Sequence, residues 1–184
     1  MKHEILESAR MILQIWNPEH LKTLFDSSDE TTIRNKLLIA SDNDFQKKLR
    51  RHKEGYTSFN RSMIQFIMIE KSTAISFGSC GYHNWYTEHR NAELGYAISI
   101  EDFKNQGYMT EALETIIPYG FNVMNLNRIE AFVSPDNEPS NRLLKHFKFT
   151  EEGMARQHYL KDGVFYSSKM YSLLREEFQT DKTN

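Results

Sequence analysis

Apolar and polar positions alternate from Arg10 to Trp16, and Asn17-Pro18-Glu19 then offers a helix start, with asparagine as N-cap and proline in the first turn. A strand should therefore pass into a helix early in the chain. Between residues 19 and 58 the apolar positions Leu21, Leu24, Phe25, Ile33, Leu37, Leu38, Phe45 and Leu49 are spread among charges, with turn signals at Ser27-Ser28-Asp29 and Ser41-Asp42. This pattern predicts two or three amphipathic helices. Met63 to Glu70 and Ala74 to His83 form a predicted hairpin around Lys71-Ser72-Thr73, and Ala92 to Ile100 adds a third strand.

In that third strand Leu94, Tyr96, Ile98 and Ile100 point one way, and Glu93, Gly95, Ala97 and Ser99 the other, because strand side chains alternate between faces. One face is bulky and the other is made of small residues. From Thr110 the apolar residues Leu113, Ile116, Ile117, Phe121 and Met124 recur at helical spacing, and Arg128 to Val133 returns to period two. A strand-helix-strand crossover of this kind demands parallel neighbours. Pro118 lacks the N–H that would bond the Glu114 carbonyl, which predicts a kink or break. A second helix is expected from about Glu138 to Phe147, capped by Asn137, with Lys145, His146 and Lys148 at its negative end. A hairpin with a tight turn at Asp162-Gly163 follows, from Met154 to Lys161 and Val164 to Leu174. The elements add up to one mixed α/β domain over residues 1–178 with a short polar tail, 179–184.

Composition narrows the class. With 184 residues, 39% apolar and 26% charged, the chain can bury a core without staples. The formal charge is −2, and the basic run from Lys47 to Arg51 reads as a solvated helix face, so nucleic acid is not indicated. The lone Cys80 cannot close an internal disulfide, and no Cys/His spacing suggests zinc. No apolar leader or membrane-spanning run is present, which makes the cytoplasm the expected location and excludes a membrane partner.

The chemistry is concentrated in Ile98 to Ala112, where a strand ends in a polar loop with one glycine and a helix begins at once. Backbone N–H groups from Gln106 to Thr110 have no intrahelical partner, and with the helix dipole they suit an anion such as a pyrophosphate. Gly107 lets the backbone come close. No Gly-Lys-Ser/Thr follows, so this is not a P-loop.

Ala92-Glu93-Leu94-Gly95-Tyr96-Ala97, Gln106-Gly107-Tyr108-Met109-Thr110-Glu111-Ala112, Asn127-Arg128-Ile129-Glu130-Ala131, Asn137-Glu138-Pro139-Ser140-Asn141 and Lys148-Phe149 together resemble the Gcn5-related N-acetyltransferases (GNAT). Within them the chain is most similar to the RimJ/RimL-like branch, which contains ribosomal-protein N-terminal acetylases. The resemblance runs from about Arg10 to Phe178. It implies a mixed, mostly antiparallel sheet, splayed between the strands holding Ala92 to Ile100 and Arg128 to Val133, with helices on both sides. It implies acetyl-CoA as cosubstrate and no metal. Lys104, Asn105, Gln106, Gly107, Tyr108, Met109 and Thr110 would hold the pyrophosphate; Ile98, Ser99 and Ile100 would pair with the pantetheine arm; Asn137 would contact the cofactor. Asn105 and Met109 depart from the usual glycine and the usual Gly or Ala, and Lys148 from a usual glycine.

By the same resemblance Glu93 is the expected base, acting directly or through water. The position where many relatives carry a tyrosine acid is Leu144, so the acid is open; Ser140 is a candidate, with a helix-start hydroxyl bonded to backbone as its competing role. Tyr108, Tyr159 and Tyr166 are more simply core or pocket residues. His83 and His89, with Asn84, Trp85 and Tyr86, are expected in a loop beside the acceptor pocket. The reaction implied is direct transfer in a ternary complex to a primary amine, either a protein N-terminal α-amine or a small-molecule amine. The alternatives are a protein of this fold that binds acyl-CoA without catalysis, and an unrelated α/β domain holding another phosphate. Apolar residues on the last hairpin suit a homodimer.

Overall fold

The computed structural model describes residues 4–58 and 61–180. The assigned polar tail lies outside the described residues from 181 onward. Eight strands form one sheet: β1 (Ile5–Glu7), β2 (Met11–Trp16), β3 (Arg61–Glu70), β4 (Ser76–Tyr86), β5 (Asn91–Ile98), β6 (Arg128–Val133), β7 (Thr150–Lys161) and β8 (Val164–Leu174), in the order β1-β2-β3-β4-β5-β6-β8-β7. Every neighbouring pair is antiparallel except β5 and β6, which run parallel.

Six α-helices accompany the sheet: α1 (Pro18–Ser27), α2 (Glu30–Leu37), α3 (Asp42–Glu54), α4 (Tyr108–Asn122), α5 (Glu138–His146) and α6 (Arg175–Thr180). Asn17, Asp29 and Ser41 cap the first three through their side chains, as short polar residues do when first-turn N–H groups need acceptors. The helices divide between the two faces of the sheet. On one face α4 lays Leu113, Ile116, Ile117 and Phe121 against Phe66, Phe77, Leu94 and Ile129. On the other, Leu21, Leu24, Ile33, Leu37 and Phe45 from α1–α3 cover Trp16 and Ile67. The mixed α/β class, the three early helices, the crossover and the final hairpin all appear where the hydrophobic pattern put them.

Several boundaries differ. The short strand β1 precedes the predicted first strand, and its ladder to β2 pairs Ile5 with Gln14. His83, Asn84, Trp85 and Tyr86 belong to β4 rather than to a loop, because the hairpin ladder continues as far as the Arg61–Tyr86 pair. Strand β5 stops at Ile98, where a short 3-10 turn over Glu101–Phe103 begins to redirect the chain. Helix α4 starts at Tyr108 and runs unbroken past Pro118; burial of Ile116, Ile117, Gly120 and Phe121 outweighs the one missing hydrogen bond.

The splay is the feature that positions a site. Strands β5 and β6 pair only at Asn91–Arg128, Ala92–Ile129 and Glu93–Glu130, and then diverge. Ser99 N–H already bonds the Phe77 carbonyl of β4 at 2.8 Å. By the alternation of an antiparallel ladder, residues 93, 95 and 97 also face β4, leaving the N–H and C=O groups of Leu94, Tyr96 and Ile98 directed into the gap.

Candidate active site

At the mouth of the gap a cleft of about 520 Å3 is lined by Tyr96, Ala97, Ile98, Lys104, Asn105, Gly107, Tyr108, Met109, Thr110, Asn137, Pro139, Ser140 and Leu143. Most of the residues assigned to the cofactor from sequence are here; Gln106, Ser99 and Ile100 do not line it. Ser99 and Ile100 turn their N–H groups to the Phe77 carbonyl, so the edge open to a ligand is Leu94 to Ile98. Gly107 is the N-cap of α4 at φ 79°, with no side-chain cap, so the first-turn N–H groups of the helix are left for a ligand. Asn105 takes φ 58°, a conformation asparagine tolerates better than most residues. Lys148, after α5, is held at φ 60°.

A polar clamp fixes this loop. Glu111 receives the Arg10 backbone N–H at 2.7 Å and its Nε at 2.6 Å, while Arg10 Nη1 donates to the Gln106 carbonyl at 3.1 Å. The same guanidinium lies 4.0 Å over the Tyr108 ring, whose hydroxyl donates to Glu70 at 2.5 Å. Tyr108 is thus committed to structure. Glu70, bonded by Thr73 and then by Tyr108, is held below the ordinary carboxyl range. None of these long-range partners was visible in the sequence pattern.

On the opposite face a second cleft of about 310 Å3 has a floor of Ser79, Gly81, Gly95 and Ala97 and walls that include Met63, Gln65 and His83. Gly81 sits opposite Gly95 in the β4–β5 ladder. A Cβ on Gly95 would lie 2.8 Å from His83 Cε1, so the missing side chain lets the imidazole lie across β5. His83 is cross-strand partner to Glu93, and its Nε2 is 2.9 Å from Glu93 Oε1; Asn84 Nδ2 donates to Oε2 at 2.8 Å. Burial pushes the Glu93 carboxyl up, but His83 and Asn84 outweigh it, and the group ends below its ordinary value. Glu93 is an ionised carboxylate near neutral pH.

Two further features bear on chemistry. Tyr96, which the sequence reading left in the bulky face, lines both clefts. Its hydroxyl is buried without a hydrogen-bond partner at ordinary distance, although the Ser140 hydroxyl is close enough to offset part of the upward push of burial on its pKa. The α5 cap is Asn137, whose Oδ1 accepts the Ser140 N–H at 3.2 Å. Tyr159 and Tyr166 stack on each other at the outer hairpin, away from both clefts, and Leu144 is fully buried. Cys80 is buried and its thiol is pushed up by desolvation. Among the described residues no group of three or more His, Cys, Asp or Glu is gathered to hold a metal ion, and no helix is long and apolar enough to cross a membrane.

A cleft entered through splayed parallel strands, with open helix N–H groups at its mouth and an ionised carboxylate across the sheet, can receive an anionic ligand on one face and a cationic group on the other. Residues 10–150 match the family model described as "Acetyltransferase (GNAT) domain", and the chain belongs to this family of N-acetyltransferases. It is 31% identical to the uncharacterized N-acetyltransferase p20 of Bacillus licheniformis over 94% of this chain and 90% of that one. It is 38% identical to the uncharacterized N-acetyltransferase YoaA of Bacillus subtilis (strain 168), over 57% of this chain and only 59% of that protein's length. Among solved structures it resembles RimL, the ribosomal L7/L12 alpha-N-protein acetyltransferase in complex with coenzyme A, at TM-score 0.67 and 18% identity, covering 95% of this chain and 99% of that one. It equally resembles the dodecameric spermidine N-acetyltransferase of Vibrio cholerae, at TM-score 0.66 and 15% identity, covering 94% and 98%. At such identities these two structures speak to the fold alone.

Proposed function

We propose that the protein transfers the acetyl group of acetyl-CoA directly to a primary amine in a ternary complex, with Glu93 as the group that takes the amine's proton. The observation that carries this reading is the pair of clefts meeting at Tyr96 and Ala97 from opposite faces of the splayed sheet. The residues fit the cosubstrate. The α4 N-terminus and the loop Lys104 to Met109 suit its pyrophosphate, and the open edge Leu94 to Ile98 can pair with the amides of the pantetheine arm. When bound, acetyl-CoA supplies the activated acyl carbon.

This chain's own residues do the rest. Glu93, ionised and oriented by His83 and Asn84, accepts a proton from the incoming ammonium directly or through a water. A backbone N–H on the open edge polarises the thioester carbonyl as negative charge develops on its oxygen. Ser140, beside Tyr96, would donate a hydrogen bond to the departing thiolate and relay to it the second proton, the one the amine nitrogen sheds as the amide forms, so that the hydroxyl is restored. The acceptor is a protein N-terminal α-amine or a small-molecule amine; the RimL and spermidine enzymes of the same fold illustrate the two kinds. Leu160, Val164 and Phe165 are exposed at the last hairpin, which suits association with a second copy.

Thermal unfolding with acetyl-CoA, CoA and ATP tests the cofactor. A ligand at about 100 times its dissociation constant adds roughly 2.7 kcal/mol to the native state. A rise with the CoA species alone, followed by amine-dependent thiol release, supports the reading. A rise without turnover of any amine supports a binding protein of this fold instead, and no rise at saturating acetyl-CoA overturns both.

A further inference from the structure

On α3 the residues turned inward are Phe45, Lys48, Leu49 and His52, the i, i+3, i+4, i+7 stripe that normally packs a helix on its sheet. A lysine in this stripe is unexpected: its neighbours Lys47, Arg50 and Arg51 are all exposed, as a solvated basic face should be, whereas Lys48 is half-buried. Lys48 forms no ion pair among the described residues. Asp44, one turn back, is its nearest compensating charge, and that carboxylate already lies 3.6 Å from Lys47 and accepts from Ser41 at 2.8 Å. Burial outweighs Asp44 and pushes the Lys48 ammonium down from its ordinary value. A half-buried cation without an anion is an unfavourable arrangement unless a ligand completes it.

The place where Lys48 points supplies the ligand. It lines a cleft of about 300 Å3 between α3 and the sheet, together with Gln65, Ser79 and Ser99; Lys47 and Asp44, paired with each other at 3.6 Å, stand at the same cleft and leave Lys48 as its unpaired charge among the described residues. Gln65 and Ser79 also line the acceptor cleft, so the two clefts adjoin across these side chains. The side chains of Gln65 and Ser79 make no hydrogen bond among the described residues and add open polar groups beside the ammonium. Along β4 and β5 the Ser79–Ala97 pair lies four residues from the His83–Glu93 pair. At 3.3–3.4 Å per residue the two pairs are about 13 Å apart along the sheet, which sets the length an acceptor needs to reach from Glu93 to the Lys48 end.

We infer that the acceptor is an amine that also carries an anionic group, such as a carboxylate, which Lys48 receives at the far end of the two adjoining clefts. This rests on the acetyltransferase reading above and narrows it. Glu93 draws the cationic amine to one end, Lys48 draws the anion to the other, and a polyamine would place a second cation against Lys48. Carboxylates separated from an amine by this span occur in extended ω-amino acids and in peptides with an acidic residue near the N-terminus.

Two matched acceptor series test this. One is 8-aminooctanoate, octylamine and 1,8-diaminooctane; the other is Ala-Ala-Glu, Ala-Ala-Gln and Ala-Ala-Lys as C-terminal amides. Within each series only the distal charge changes. The kcat/KM should be at least about tenfold higher for the carboxylate member than for its neutral partner in one series or both, and the series that shows it identifies the source of the anion. Lys48→Gln should bring that ratio close to one, and Lys48→Glu should invert it toward the cationic member. Equal loss for all members, an unchanged ratio in Lys48→Gln, or a wild-type preference for the neutral or cationic member overturns the inference. If acetyl-CoA raises the melting temperature but no member of either series is acetylated, the acceptor inference fails and the cofactor assignment stands. If acetyl-CoA produces no shift, the acetyltransferase reading itself fails.

Discussion

The two faces of the sheet at β4 and β5 are built from opposite materials. On the α4 face Phe77, Cys80, Tyr82 and Leu94 are buried in a continuous core, and even the hydroxyl of Tyr82 is used, donating to the Ile116 carbonyl at 2.8 Å. On the α1–α3 face the same two strands present Ser79, Gly81, Gly95 and Ala97, and the helices cover only the β2–β3 side of the sheet. One face secures the fold and the other leaves room for a substrate. Close packing and an open floor therefore coexist a single residue apart along each strand, because side-chain direction alternates.

If that division is right, substitutions on the two faces should separate stability from activity. The largest effect is expected at Glu93: Glu93→Gln keeps the shape but removes the proton acceptor, and should lower kcat by about 10²–10⁴-fold, read as thiol release. Its melting temperature should stay close to wild type. Next, Leu113→Ala on the closed face removes a fully buried side chain and should cost about 2–5 kcal/mol in urea unfolding. Met63→Ala, on the wall of the open face, should cost far less stability and act on the acceptor KM instead. A large stability loss at Met63 would mean that the open face is packed after all.

Smaller effects sharpen the picture at the loops. Lys148→Gly relieves a side chain held at positive φ after α5 and should stabilise the protein by about 1 kcal/mol in the same unfolding experiment. The pH dependence of stability should register the Arg10–Glu111 clamp. Burial pushes the Glu111 carboxyl up, the Arg10 N–H and guanidinium pull it down by more, and it ends below the ordinary 4.5. A carboxyl with a depressed folded pKa adds stability that is complete above the unfolded value and disappears as pH falls through the folded one. Melting temperature should therefore decline on acidification below about pH 4.5, and Arg10→Ala should flatten part of that decline. An identical acid profile in wild type and Arg10→Ala would remove the clamp as its origin.

Much of the cofactor side was legible because its signals are local. A polar loop with one glycine between a strand and a helix occupies the nine residues 99–107, and Asn137 caps α5 three residues before the N–H it accepts. Glu93 was placed on the small-residue face by counting in twos along one strand. The acceptor side was harder to read. The sequence pattern ends the strand at His83 and puts Asn84 to Tyr86 in the loop, because the part of the β4 ladder that extends to Tyr86 depends on pairing with the start of β3. Lys48 sits in a basic run that resembles a solvated surface; its spacing from Phe45 and Leu49 puts it on the inward stripe, but only the docking of α3 shows that this stripe opens on a cleft there. Alternation puts Tyr96 on the bulky face of its strand, where its ring packs partly buried, but the proximity of its hydroxyl to Ser140 depends on the docking of α5.

By itself, then, the sequence determined the order and type of most elements, the parallel crossover and the glycine-containing loop before α4, because periodicity, capping and turn chemistry act over a few residues. Tertiary structure decided where β5 and β6 part, which N–H groups face the gap, how His83 and Asn84 orient Glu93, and that Lys48 turns inward. Those features depend on contacts between separate strands and helices, whose geometry is set when the sheet closes its ladders and the helices dock.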